Sequence, residues 1–196
     1  AVELSRAIEA EILLVRVVPV LKSIAPTLEI PWQTRKAEKR QRRMAEASLH
    51  TARSALINSN VRINRVEVLS GRPASAIIQY ATKECVDLIV CTNRSSVSSR
   101  PWHLGTVALK LLRNAPCDTL VVSTDAREAL TFTRILIALD GSDLAERALV
   151  PAVSLSKALS AEMFLLRITP PIALAIGPDE AEILTPSIKG QVERYL

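Results

Sequence analysis

Side chains that could contact phosphate are the first candidates for chemistry in this 196-residue chain. A basic run extends over residues 35–43, and such a density of positive charge attracts nucleic-acid phosphates. Glu38 interrupts the run and no aromatic residue is interleaved with it, which favours a solvated helix face. Aromatics make up 3% of the chain, which argues against modules that stack single-stranded bases. We therefore expect no nucleic-acid partner.

Histidine and cysteine are too few and too dispersed to indicate a metal centre or thiol chemistry. Neither His50 nor His103 has a second ligand at metal-binding spacing. The odd number of cysteines forms no disulfide framework. Cys91 and Cys117 adjoin apolar runs and are expected to be buried small hydrophobes. We predict no metal site, and a reducing, cytoplasmic location is the simplest interpretation.

Sequence motifs of catalysis and of membrane insertion are missing. The chain has no G-x-S-x-G elbow, no Walker loop and no paired catalytic carboxylates. We expect that the protein is not an enzyme, with a weak ATPase activity left open. No uncharged apolar run reaches the ~18 residues of a membrane helix, so we expect no membrane insertion.

Strands alternate with helices along the sequence. Apolar runs predict strands at 12–18, 61–69, 86–91, 119–123 and 135–139, and helices at 37–56, 73–82 and 104–112. This alternation predicts an α/β fold, a Rossmann-like doubly wound parallel sheet with its ligand crevice at the carboxyl ends of the strands. Asp143 and Glu146 predict a capping box, and Pro151 predicts a kink in the helix that follows.

An internal repeat divides the chain. Ala1–Pro19 and Ala152–Pro170 are identical at ten of nineteen positions, at an offset of 151 residues. Both segments read as the end of an amphipathic helix followed by an apolar strand. We therefore predict a tandem repeat of a unit of about 150 residues.

Both copies of the repeat look incomplete. The first has no counterpart of Arg134–Val150, and so lacks its first strand, and the second stops at Leu196. We predict a first domain over 1–125, a linker over 126–133 and the start of a second, truncated domain over 134–196. Missing flanking sequence is the favoured explanation. The alternative is that the first strand of the second copy complements the sheet of the first.

Three segments carry a resemblance to a known family. They read ILIALDGSDLAERAL, SGRPASAIIQYATKECVDLIV and LGTVALKLLRNAPCDTLVV. They resemble the universal stress protein (UspA) family, and the repeat suggests a tandem-domain member or a fragment of one. The resemblance implies a fold of the universal stress protein and adenine nucleotide alpha hydrolase-like type. It also implies pairing as a homodimer or an intrachain pseudo-dimer, and ATP binding in many members.

ATP-binding members carry the loop G-x2-G-x9-G-[ST] after their fourth strand. Here Thr92 stands at the first glycine, Ser95 at the second and Gly105–Thr106 at the last pair. Each lost glycine adds a Cβ where phosphate would approach. Either the hydroxyls donate to phosphate instead, or this loop no longer binds ATP.

The resemblance also assigns the adenosine end of the site. Asp140 matches an acidic residue at the end of the first strand, near the adenosine. Val17 in the first copy and Ile168 in the second match the position whose backbone borders adenine. The alternative role of Asp140 is that of a turn residue in Asp-Gly-Ser.

These features lead us to expect a regulatory stress-response protein with ATP, accompanied by Mg²⁺, as its cofactor. Self-association is expected through the edge strand 119–123. The alternatives are an interaction protein that binds no nucleotide, and a soluble regulatory domain of a larger transporter.

Overall fold

A computed structural model describes residues 2–19, 32–57, 59, 61–93, 104–123 and 132–167. The chain divides into two compact units, Ala1–Leu130 and Thr131–Leu196. The linker predicted at 126–133 lies outside the described residues except for Phe132 and Thr133.

The elements of each unit follow the predicted alternation. Those of the first unit are α1 (Val2–Ala7), β1 (Ile12–Val18), α2 (Trp32–Ile57), β2 (Ile63–Ser70), α3 (Pro73–Lys83), β3 (Leu88–Thr92), α4 (Thr106–Asn114) and β4 (Asp118–Val122). Those of the second unit are β5 (Arg134–Leu139), α5 (Asp143–Glu146), α6 (Leu149–Leu159) and β6 (Glu162–Arg167).

All strand pairs in the described residues are parallel, which confirms the predicted α/β class. β1 pairs with β2, β3 with β4, and β5 with β6. Among the described residues the strands form three two-stranded sheets. By the sequence repeat, β1 of the first unit corresponds to β6 of the second.

The core that positions the candidate loop lies between α3, α4 and β3. Ala81, Ile89 and Leu111 form a buried cluster. Leu111 has no solvent exposure, so it fixes α4 against the strand pair. Pro73 begins α3, where its missing N–H costs no helical bond.

The second unit has a smaller core, of Ile137, Leu139 and Ala152. Two details differ from the predictions. The helix cap is Ser142, whose Oγ accepts a hydrogen bond from the Ala145 N–H at 3.1 Å, so Asp143 is not the capping residue. In place of the kink predicted at Pro151, the helix is interrupted between Glu146 and Leu149, where Arg147 and Ala148 keep right-handed helical backbone angles. A proline ring would clash with the carbonyl four residues before it in a continuous helix.

Among the helices that the structure describes, none combines the length and the apolar character needed to cross a membrane.

Substitution of Leu111 tests this core. Leu111→Ala should lower the free energy of unfolding by about 2–5 kcal/mol, because it leaves a cavity in a fully enclosed site. Chemical denaturation followed by circular dichroism measures the change. The matched control is Leu112→Ala, at a side chain that is 46% exposed, which should cost less than about 1 kcal/mol. Equal losses in the two variants would contradict this packing.

Candidate functional site

The junction between β3 and α4 holds three of the predicted residues around one backbone hydrogen bond. Thr92 ends β3 with its side chain exposed. The next residue, Asn93, donates its N–H to the Val122 carbonyl at 3.0 Å, and its carbonyl accepts the Gly105 N–H at 2.7 Å. The two ends of segment 94–104 are thereby joined at the carboxyl end of β3. Segment 94–103, which includes Ser95, lies outside the described residues.

Gly105 is the N-cap of α4 and leaves that helix end without a capping side chain. Its carbonyl accepts the first helical bond, from the Leu109 N–H at 3.0 Å. The amides of the first turn, which starts at Thr106, have no partner within the helix. Aligned N–H groups and the helix dipole make such an end suited to an anion. A Cβ on Gly105 would lie 3.3 Å from the Asn93 carbonyl oxygen, which is a close contact that a larger side chain would tighten.

Val17 lies in the other strand pair of the first unit. It is half-buried in β1 and pairs in register with Leu69 of β2. The next residue, Val18, accepts the Gly71 N–H at 3.1 Å, and Gly71 has φ +132°, a conformation that favours glycine. Among the described residues, β1 has β2 as its only strand neighbour.

Asp140 follows β5 and closes a tight turn. Its Oδ1 accepts the Ser142 N–H at 2.9 Å. Hydrogen bonds from the Ser142 hydroxyl and from its amide lower the pKa of Asp140, and nearby Arg167 lowers it further. Asp140 therefore has the role of a turn residue, which the Asp-Gly-Ser sequence predicted as an alternative. Its exposed carboxylate is ionised at neutral pH.

Arg167 lies against this turn. Gly141 has φ +89°, and a Cβ there would come within 2.6 Å of the guanidinium of Arg167. The carboxyl end of β6 thus places a cation beside the carboxyl end of β5. The identity of Arg167 with Arg16 in the repeat is the only sequence signal for this contact. Ile168, the next predicted residue, lies outside the described residues.

The structure therefore joins some of the candidates and separates others. Thr92, Gly105 and Thr106 meet around Asn93, whereas Val17 belongs to the other strand pair of the unit and Asp140 to the second unit. Nothing in the sequence indicated Asn93, because this residue acts through its backbone N–H and carbonyl. Almost every residue type carries these groups, so the residue type does not reveal the role.

Arg42 of the basic run lies with His50 of α2 in a cleft of mixed charge. Arg42 is paired with Glu46 at 3.1 Å, and both line a cleft with His50, Arg53 and Glu67. Because the lining carries both signs of charge, it does not favour a polyanion. Within the described ranges, no group of three or more His, Cys, Asp or Glu residues is placed to hold a metal.

The cysteines show no sign of thiolate chemistry. All three are free thiols; Cys85 is exposed, while Cys91 and Cys117 are only partly buried, less than expected. Burial raises the pKa of Cys91 and of Cys117, which disfavours the reactive thiolate.

Residues 1–123 match the model of the universal stress protein family. The chain belongs to this family. A universal stress protein of Methanocaldococcus jannaschii is 27% identical over 140 residues, covering 65% of this chain and 74% of that protein. One of Thermus aquaticus is 42% identical over 55 residues, covering 28% of this chain and 40% of that protein.

Two solved universal stress proteins share the fold. One from Archaeoglobus fulgidus superposes with a TM-score of 0.66 at 18% identity, covering 97% of this chain and 68% of its own. UspA from Lactobacillus plantarum gives a TM-score of 0.53 at 17% identity, covering 62% of this chain and 83% of its own. Together with the parallel strand pairs, they establish the Rossmann-like fold of the family for this chain.

The Asp140 turn predicts a measurable titration. Ser142→Ala should raise the pKa of Asp140 towards its ordinary value, because it removes the hydroxyl that stabilises the carboxylate. Carbon-detected NMR of the Asp140 carboxyl between pH 2 and pH 6 would follow it. The pKa of Asp140 is lower in the folded than in the unfolded protein. Its contribution to the free energy of unfolding is therefore fully present above the unfolded pKa and is lost as the pH falls through the folded pKa. Ser154→Ala, whose hydroxyl bonds to Val150, is the control; an unchanged Asp140 pKa in Ser142→Ala would refute the assignment.

Proposed function

We propose that this universal stress protein is a tandem-repeat member that binds ATP, or a related adenine nucleotide, as a regulatory ligand in a stress response. The observation that supports it most is the uncapped start of α4, held at the end of β3 by the Gly105–Asn93 hydrogen bond. The bound nucleotide would act as a signal, and we propose no catalytic step for the protein.

The phosphates are proposed to lie at the first turn of α4. Backbone amides there donate towards the helix end, where the dipole adds the equivalent of roughly half a positive charge. Thr92 and Thr106 are both exposed at this junction, and their hydroxyls supply donors where glycine has been lost. A Cβ at Gly105 would lie 3.3 Å from the Asn93 carbonyl oxygen, and this close contact supports a preference for glycine at the start of α4.

Asp140, Val17 and Ile168 are proposed for the adenosine end. The ionised carboxylate of Asp140 is suited to accept hydrogen bonds from ribose hydroxyls. The backbone beside Val17, at the end of a parallel strand, is suited to border the base. Mg²⁺ would arrive with the phosphates, which supply most of its ligands in such sites.

Self-association through β4 is a second proposal, from the class of interaction proteins. β4 pairs only with β3 among the described residues, and an open strand edge is a template for another chain. We propose the cytoplasm as the location, since all three cysteines are free thiols. Two results together would support an interaction role without nucleotide binding. ATP would not bind at millimolar concentration, and Val121→Pro in β4 would halve the mass of the oligomer.

Gly105→Val tests the proposed nucleotide site. It should weaken ATP binding at least tenfold, because the added carbons meet the Asn93 carbonyl and displace the start of α4. Isothermal titration calorimetry measures the affinity, and thermal unfolding confirms that the variant is folded. The matched control is Leu112→Ala on the same helix, away from its N-terminus, which should bind as wild type does. No ATP binding by the wild type, or equal binding by Gly105→Val, would contradict the proposal.

A further inference from the structure

Four cations of α2 lie on one exposed face of that helix. At 3.6 residues per turn, positions 36, 40 and 43 follow one another along the same side, and position 39 stands beside them. All four residues are exposed. They form a set that we call the basic row: Lys36, Lys39, Arg40 and Arg43. The row extends over about 10 Å of the helix axis, at 1.5 Å per residue.

The basic row is turned away from the strands on which α2 packs. These strands are β1 and β2, and the helix is buried at Ala45 and Leu49, which are 2% and 7% exposed. The two buried positions lie about 150° around the helix from the centre of the row. The row therefore projects from the side of α2 that faces solvent.

Glu38 interrupts the basic run in the sequence but not on this face. It stands seven residues before Ala45, which places it on the packed side of α2, and it is half-buried. It is also the only acidic residue between positions 36 and 43. The outer face of these two turns is therefore purely cationic.

The cations of the basic row have no counter-charge within the protein. None of the four has an ion pair among the residues that the structure describes. By contrast Arg42, outside the row, is paired with Glu46 at 3.1 Å. Within the row, neighbours three or four positions apart carry the same charge, and such pairs destabilise a helix. Helix faces that are only solvated commonly alternate the two signs, so this face is better suited to an anionic partner.

We propose that the basic row is a contact surface for double-stranded DNA, which it binds through the phosphates and without preference for base sequence. Duplex DNA carries one negative charge for about every 1.7 Å of its axis, so a stretch as long as the row offers about six phosphates. The major groove of DNA also admits an α-helix, whereas that of an RNA duplex is too narrow. The scarcity of aromatic residues disfavours single strands, but phosphate contacts need no aromatic residue. The net charge of +5 has the sign that such a partner requires.

The composition of the face favours phosphates over a protein or a membrane. Protein interfaces depend on buried apolar or aromatic anchors and are poor in lysine. A helix that lies on a membrane needs a broad apolar face. Between residues 36 and 56 the one exposed large apolar side chain is that of Met44, at 61%. A single methionine supplies neither kind of surface.

The DNA contact goes beyond the proposed nucleotide site and does not rest on it. The row belongs to α2, which packs on β1 and β2, whereas Gly105 lies at the junction of β3 and α4. Gly105→Val should therefore bind DNA as the wild type does, even where it has lost ATP. Loss of DNA binding in that variant would overturn the placement of the contact on α2.

The first test measures how binding to a DNA duplex of about 20 base pairs depends on salt. Fluorescence anisotropy of the labelled duplex gives the affinity. Four phosphate contacts predict a slope of about −3.6 in a plot of log K against log salt concentration. Raising the salt from about 50 to about 200 mM should therefore weaken binding about 150-fold. No binding at the lower salt concentration, or a slope near zero, would overturn the proposal.

Two matched double variants separate the basic row from net charge. Lys39→Gln with Arg43→Gln removes two charges of the row and should reduce the slope to about −1.8. Arg42→Gln with Arg53→Gln removes two charges from the cleft side of the same helix and should keep the slope of the wild type. Glutamine has a helix propensity close to those of lysine and arginine, so circular dichroism should show both variants folded. Equal losses in the two double variants would overturn the row as the contact surface.

Competition against the labelled duplex identifies the partner. Poly-glutamate, vesicles that contain phosphatidylserine and an RNA duplex are each added at equal total charge. The DNA duplex should bind about tenfold more tightly than any of them, because it combines the highest density of phosphate with an accessible groove. Equal or tighter binding of poly-glutamate, of the vesicles or of the RNA duplex would overturn the choice of DNA.

Discussion

The hydrogen bond from the Gly105 amide to the Asn93 carbonyl is the interaction on which the proposed site depends. It ties the start of α4 to the end of β3, while the Asn93 amide is itself bonded to Val122 of β4. Leu111, whose side chain has no solvent exposure, holds α4 against the strands. These contacts use backbone groups and a buried side chain, so they do not depend on the side-chain types of the loop. The proposed phosphate site therefore rests on backbone groups, although Thr92 and Ser95 stand at two of the three glycine positions of the loop motif.

A second constraint is that parallel strands need neighbours on both edges. Within the described residues the three strand pairs leave open edges, and an isolated pair of strands is marginal in water. The second unit shows the effect most clearly, with Leu136, Phe164 and Leu166 exposed on its strands.

Much of the fold could be predicted because it is local. The apolar run of β1 predicted its observed bounds, Ile12–Val18, and the proline at 73 marked the start of α3. The helix predicted from Leu104 begins two residues later, because Gly105 is held by Asn93 rather than by a helical bond. The cap lies at Ser142 and not Asp143, a one-residue difference that side-chain types alone do not resolve. Which strands pair with each other could not be predicted from local pattern, since pairing joins segments that are far apart in the sequence.

The most direct measurement of the central claim is a titration of the nitrogen-15-labelled protein with ATP, followed by amide NMR. The account predicts that the largest shifts fall on the amides of Asn93, Gly105, Thr106 and Val107, at the start of α4. The amides around His50 in the cleft beside α2 should stay in place. Shifts centred on that cleft, or none at millimolar ATP, would contradict a nucleotide site at the end of β3.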